Sequence, residues 1–172
     1  EMEAEGADIL DIGGQSTRPG HTPIPQEEEW ERLAAVLPAV LAGISLPVSI
    51  DTFYPWVAKK ALALGAHIIN DVSGFGEGML QAVAGSGCGC IAMCPTGGVP
   101  DIFTHVKGFF AGRLRAAQEH GIAKERLCFD PGVGFGKAYE ENLALIAQVG
   151  KTRIPGVAYL MAASRKRVTG RP

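Results

Sequence analysis

Six short apolar runs recur along this chain, each trailed by a stretch with helical periodicity, and that alternation limits what it can fold into. The runs are 7–12, 48–51, 66–72, 88–93, 126–130 and 157–162. They are nearly continuous in apolar character, as strands are when both faces of a parallel sheet are covered by helices. Helices are expected between them. The first is 26–41, with Trp30, Leu33, Leu37 and Val40/Leu41 at helical spacing and Pro38 expected to kink or end it. The others are 54–64, with Pro55 early and Gly65 as its C-cap, then 78–84, 102–120 and 139–149. Two architectures suit such a chain, the (β/α)8 barrel and the doubly wound open sheet. No G-x-G-x-x-G follows the first run, which counts against a dinucleotide-binding sheet.

The chain has 172 residues, a length for one domain. With 47% hydrophobic and 20% charged residues it is not a disordered chain. A formal net charge of −2 argues against a nucleic-acid partner. The apolar runs are far too short to span a membrane, and the acidic opening EMEAEGAD does not read as a signal peptide, so a cytoplasmic setting is expected. Cys88, Cys90, Cys94 and Cys128 lack the second half of a zinc motif. They are expected to be reduced, metal-free strand residues.

The polar residues discriminate between the two architectures. Asp11, Asp51, Asn70, Asp71 and Asp130 all fall at the C-terminal ends of runs, and Ser164-Arg165-Lys166 follows the last one. In a parallel barrel those ends share one rim, where catalytic residues sit. Each has an ordinary alternative: Asp51 could cap the following helix, Asn70 and Asp71 could hold a turn, and Asp130 could open a loop. The loop Ser16–Gly20 offers hydroxyls and the Arg18 guanidinium, which suit phosphate or carboxylate. Gly134-Phe135-Gly136-Lys137 places a ring between two glycines, where it can face a ligand. Glu27, Glu28 and Glu29 read as a solvated first turn, and the four histidines as surface or loop residues.

The segments GADILDIGGQSTRPG (6–20), SIDT (49–52), GAHIINDVSG (65–74), DPGVGFGK (130–137) and SRK (164–166) together resemble the dihydropteroate synthase family, the pterin-binding enzymes of folate synthesis. The resemblance implies a (β/α)8 TIM barrel, here lacking the first and last strands. It implies condensation of 6-hydroxymethyl-7,8-dihydropterin pyrophosphate with p-aminobenzoate. Asp51, Asn70, Asp130 and Lys166 would hold the pterin ring, with Met93 flanking it. Thr17 and Arg18 would serve the p-aminobenzoate and pyrophosphate end, and Phe135 would line the p-aminobenzoate pocket. Asp51, Lys166 and Arg18 are the candidate catalytic residues. Mg2+ would neutralise the pyrophosphate, with no ligand from this chain, and the protein would be a homodimer. This chain by itself is expected to lack turnover. A pterin-dependent methyltransferase domain and a non-catalytic pterin-binding barrel fragment are the alternatives.

Overall fold

The computed structural model describes residues 1–170. Its strands are β1 (Leu10–Gly13), β2 (Val48–Asp51), β3 (Ile68–Asp71), β4 (Gly89–Met93), β5 (Leu127–Asp130) and β6 (Ala158–Tyr159). Between them lie α1 (Gln26–Gly43), α2 (Pro55–Ala63), α3 (Glu77–Val83), α4 (Ile102–Glu119) and α5 (Tyr139–Ala147), and α6 (Arg167–Gly170) follows β6. Every strand pairs with its sequence neighbour in parallel, giving one six-stranded sheet in the order β1-β2-β3-β4-β5-β6. Helices separate all the strands, so the repeated unit is strand, helix, parallel strand.

The apolar residues of the runs build the core. Val48 and Ile50 of β2, Ile69 of β3 and Phe129 of β5 are buried, and Leu33 and Leu37 of α1 pack into the same cluster. Phe110 of α4 stacks face to face on Phe129, with centroids 4.7 Å apart. That contact fastens α4 to the sheet through large apolar area.

The expected boundaries held to within a few residues, with two physical exceptions. The strand expected over 157–162 is only Ala158–Tyr159. Helix α1 runs through Pro38 to Gly43 instead of ending there. Pro38 is exposed, so water can serve the carbonyl that its missing N–H leaves free, while Leu33 and Leu37 hold the buried face. Cys88, Cys90 and Cys94 are buried, Cys128 is half-buried, and all four are free thiols.

The loops after β4 and β5 press together, and two glycines make that possible. Gly132 has φ +73°, and a Cβ there would lie 2.3 Å from the Cys94 carbonyl oxygen. A Cβ on Gly97 would meet the Gly136 oxygen at 2.5 Å. Gly132→Ala combines overpacking with a left-handed backbone and is expected to cost about 2–4 kcal/mol in a urea titration. An unchanged midpoint would mean that the two loops can separate freely.

Candidate active site at the carboxyl ends of the strands

Strand register aligns the strand ends that carry the polar residues. Gly13 of β1 pairs with Asp51 of β2, Asp51 with Asn70 of β3, and Met93 of β4 with Asp130 of β5. These pairs all lie at or next to the last residues of their strands, so one rim carries them.

Asp51 does not cap α2. Instead, the Thr52 hydroxyl accepts from the Tyr54 N–H at 3.2 Å. The Asp51 Oδ2 accepts from the Thr17 hydroxyl at 3.0 Å, and its Oδ1 is buried without a partner. Burial, with the nearby Asp11 carboxylate adding repulsion, pushes Asp51 up to about 7. A carboxyl with one free buried oxygen facing a rim is unusual, because buried polar groups are normally paired.

Asn70 donates from Nδ2 to Asp11 Oδ2 at 3.1 Å, which orients its amide beside Asp51. Asp71, by contrast, is a turn residue: its carboxylate accepts from the Ser73 N–H at 2.7 Å and the Phe75 N–H at 3.0 Å. That turn holds Phe75 at φ 57°, where a bulky side chain is costly.

Asp130 has both a local and an outward role. Its Oδ1 accepts from the Gly132 N–H at 2.7 Å, so it does shape its loop. Its Oδ2 accepts no hydrogen bond among the described residues. Burial raises this carboxyl above the usual range, and the Lys166 and Lys137 ammonium groups pull it part of the way back. Burial correspondingly lowers Lys166, which Asp130 counters. Lys166 lies over the Phe135 ring, 4.2 Å from its centroid.

A cavity of about 400 Å³ opens at this rim, lined among others by Thr17, His21, Phe53, Ser73, Met93 and Phe135. Of the predicted residues, Thr17, Met93 and Phe135 line it directly. Asp51, Asp130 and Lys166 stand one residue behind, through Thr17, Met93 and Phe135 in turn. Arg18 is exposed on the loop and makes no side-chain hydrogen bond among the described residues. A larger concavity of about 500 Å³ lies at the opposite end of the strands, against Lys59, His67 and Cys88. It has none of these convergent acids, so size does not identify the site here.

His21, expected as a surface or loop residue, lies in the loop after β1 and also lines the rim cavity, with Nε2 buried and Nδ1 2.8 Å from the Arg18 carbonyl oxygen. One sequence expectation needs correction. Glu29, expected as solvated, is 0% exposed. Its helical spacing to Leu33 and Leu37 is the signal, since positions four apart share a face. Lys137 is a further cation that the motif contained: its ammonium donates to the Cys94 and Phe135 carbonyls at 2.8 and 3.1 Å.

The chain matches, over residues 1–172, the family described as pterin binding enzyme. It belongs to that family. It is 35% identical over 175 residues to the dihydropteroate synthase of Escherichia coli strain K12, covering 96% of this chain and 62% of that protein. Against the Neisseria meningitidis serogroup C dihydropteroate synthase it is 37% identical over 183 residues, covering 99% of this chain and 64% of the other. Among solved structures, the Xanthomonas albilineans dihydropteroate synthase with 4-aminobenzoic acid superposes with a TM-score of 0.93 at 42% identity, over 99% of this chain and 66% of that one. The Clostridium difficile dihydropteroate synthase in the presence of pteroic acid gives 0.92 at 35% identity, over 98% and 66%. The chain therefore spans somewhat under two thirds of these relatives, and its six-stranded sheet is part of a (β/α)8 barrel.

Proposed function

We propose that this chain supplies most of the active site of a dihydropteroate synthase, joining 6-hydroxymethyl-7,8-dihydropterin pyrophosphate to p-aminobenzoate. The observation that carries this reading is the unpartnered, buried Asp51 Oδ1 set beside Asn70 on a rim that also holds Asp130 and Lys166. A pterin edge presents N–H donors next to a carbonyl. Carboxylates accept the donors, Asn serves either kind, and the Lys ammonium donates to the carbonyl. The Clostridium difficile relative, solved in the presence of pteroic acid, and the Xanthomonas albilineans relative, solved with 4-aminobenzoic acid, support the same substrate pair.

The chemistry is a displacement at the pterin methylene. The C–O bond to pyrophosphate breaks, the aniline nitrogen forms the new C–N bond, and one aniline proton leaves to water. The aniline is already nucleophilic, so holding the two partners in line matters more than a strong base. Asp51, at the pterin ring, favours the positive charge that develops there as pyrophosphate departs. Thr17 and Arg18, on the loop above, would meet the p-aminobenzoate and pyrophosphate end, and Phe135 would face the aniline ring.

Magnesium is the expected counter-ion for pyrophosphate. Among the described residues no group of three His, Cys, Asp or Glu side chains could hold a metal ion. A homodimer in the cytoplasm completes the reading; among the described residues no helix is long and apolar enough to cross a membrane.

The direct test is calorimetry with the pterin pyrophosphate, followed by capture of labelled p-aminobenzoate. Binding of the pterin with micromolar affinity, and p-aminobenzoate binding only after it, is the expected result. Absence of pterin binding would overturn the reading. Arg18→Ala should weaken p-aminobenzoate capture about tenfold through loss of a charge-assisted contact, while pterin affinity stays within about twofold.

A further inference from the structure

Glu29 is in the first turn of α1, fully buried, on the same face as Leu33 and Leu37. Burial raises its carboxyl above the usual range, with Thr52 and Gln15 pulling it back, and its Oε1 has no hydrogen-bond partner. On packing grounds a methionine or leucine would suit this position better than an acid. An apolar side chain could not, however, accept a hydrogen bond from Gln15.

The Gln15 amide donates to Glu29 Oε2, and its Oε1 accepts from the Ile24 N–H at 3.4 Å. One side chain thus ties both ends of the loop 15–24 to one buried acid. The loop is clamped further at its base. Gly14 packs so closely on α1 that a Cβ there would lie 2.7 Å from the Glu29 carbonyl oxygen. Arg32 donates to the Gly14 carbonyl at 3.1 Å, and the Tyr54 hydroxyl donates to the Ile24 carbonyl at 2.7 Å. Thr17 hangs between these ties, with its hydroxyl on Asp51.

We infer that Glu29 is a positioning residue that sets the register of the substrate loop through Gln15, so that Thr17 and Arg18 meet the second substrate; it touches no substrate itself. The inference rests on the function proposed above for what the loop serves, but the loop geometry stands by itself. It explains why a hydrogen-bond acceptor is kept in an apolar stripe.

The test separates positioning from packing. Glu29→Met fills the space and extends the Leu33–Leu37 stripe, so the thermal midpoint should stay level or rise. Amide hydrogen exchange over 16–24 should nevertheless accelerate about tenfold, the scale of one lost charge-assisted hydrogen bond. Capture of p-aminobenzoate by the pterin-loaded protein should weaken by a similar factor, while pterin affinity stays within about twofold. Glu29→Gln keeps an acceptor for Gln15 and should restore both. Should Glu29→Met fail to fold, Gln15→Met breaks the same tie from the half-buried side and should loosen the loop alike. A well-folded Glu29→Met protein with unchanged loop exchange would overturn the inference, as would a Gln variant that behaves like Met. If the unaltered chain binds no pterin, the functional reading fails alone, because the exchange measurement still decides the role of Glu29.

Discussion

Replacing Asp130 with Asn is expected to weaken pterin binding by at least about a hundredfold while leaving the fold intact, since charge-assisted hydrogen bonds contribute about 1.5–3 kcal/mol each. The two oxygens of Asp130 have different tasks. The Oδ1 accepts from the Gly132 N–H, and an Asn carbonyl can take over that bond. The other oxygen would become an NH2 group. It would then face a pterin N–H, donor against donor, in a pocket where neither finds water. The loss should therefore exceed that of one bond. Lys166 would also lose the countercharge that raises its pKa. Calorimetry of pterin binding, with a urea titration as the control for folding, decides the matter. If the Asn variant binds pterin like the unaltered protein, Asp130 is a loop residue only and the pocket assignment is wrong.

The second large effect is expected at Asp51, and it has opposite signs for stability and binding. Its carboxyl is pushed up to about 7 by burial and by Asp11, whereas in an unfolded chain it titrates at about 3.9. The folded state thus holds a proton that the unfolded state has already lost. For such a group the stabilising contribution is full below about pH 4, declines as pH rises towards 7, and changes no further above it. Asp71, Asp130 and Glu29 are shifted in the same direction by burial, so the unliganded protein should grow less stable across this window. Asp51→Asn cannot ionise and can still accept from Thr17. Its urea midpoint should exceed that of the unaltered protein at pH 8 and match it near pH 4. Pterin affinity should move the other way. In the unaltered protein it should rise with pH and level off above about 7, as Asp51 ionises to accept pterin N–H groups. In the Asn variant it should be lost by about a hundredfold and show little of that pH dependence. An Asn variant less stable than the unaltered protein at pH 8 would show that Asp51 is held by partners in the fold and not kept open for a ligand.

Both effects express one trade. The rim concentrates carboxyls that the folded chain only partly satisfies, and under the proposed function a ligand that brings the donors would relieve the unfavourable desolvation. Asp71 shows the contrast. It has the same strand-end position and a similar burial, yet its oxygens are taken by Ser73 and Phe75. It is a turn residue, although the sequence places it beside Asn70 on equal terms.

Much of this was legible in the sequence for local reasons. Continuous apolar runs such as Gly89–Met93 belong to a parallel sheet because both faces must be covered, and Gly65, with φ +105°, ends a helix where only glycine is comfortable. Acids at successive strand ends share a rim because parallel strands all point the same way, so Asp51, Asn70 and Asp130 could be grouped without coordinates. Distances between segments far apart in sequence were beyond that reasoning. Which oxygen of Asp51 lacks a partner depends on Thr17, which is 34 residues away. The burial of Glu29 depends on Gly14 lying against α1, and the entry of His21 into the cavity depends on how the loop 15–24 folds back over the rim. Periodicity and strand direction come from the covalent chain and its immediate neighbours, so the sequence determined the fold class and the rim. Satisfaction of a buried polar group is set by atoms that only the tertiary structure brings together, and that alone separated the acids with an unpartnered oxygen from those fully engaged in the fold.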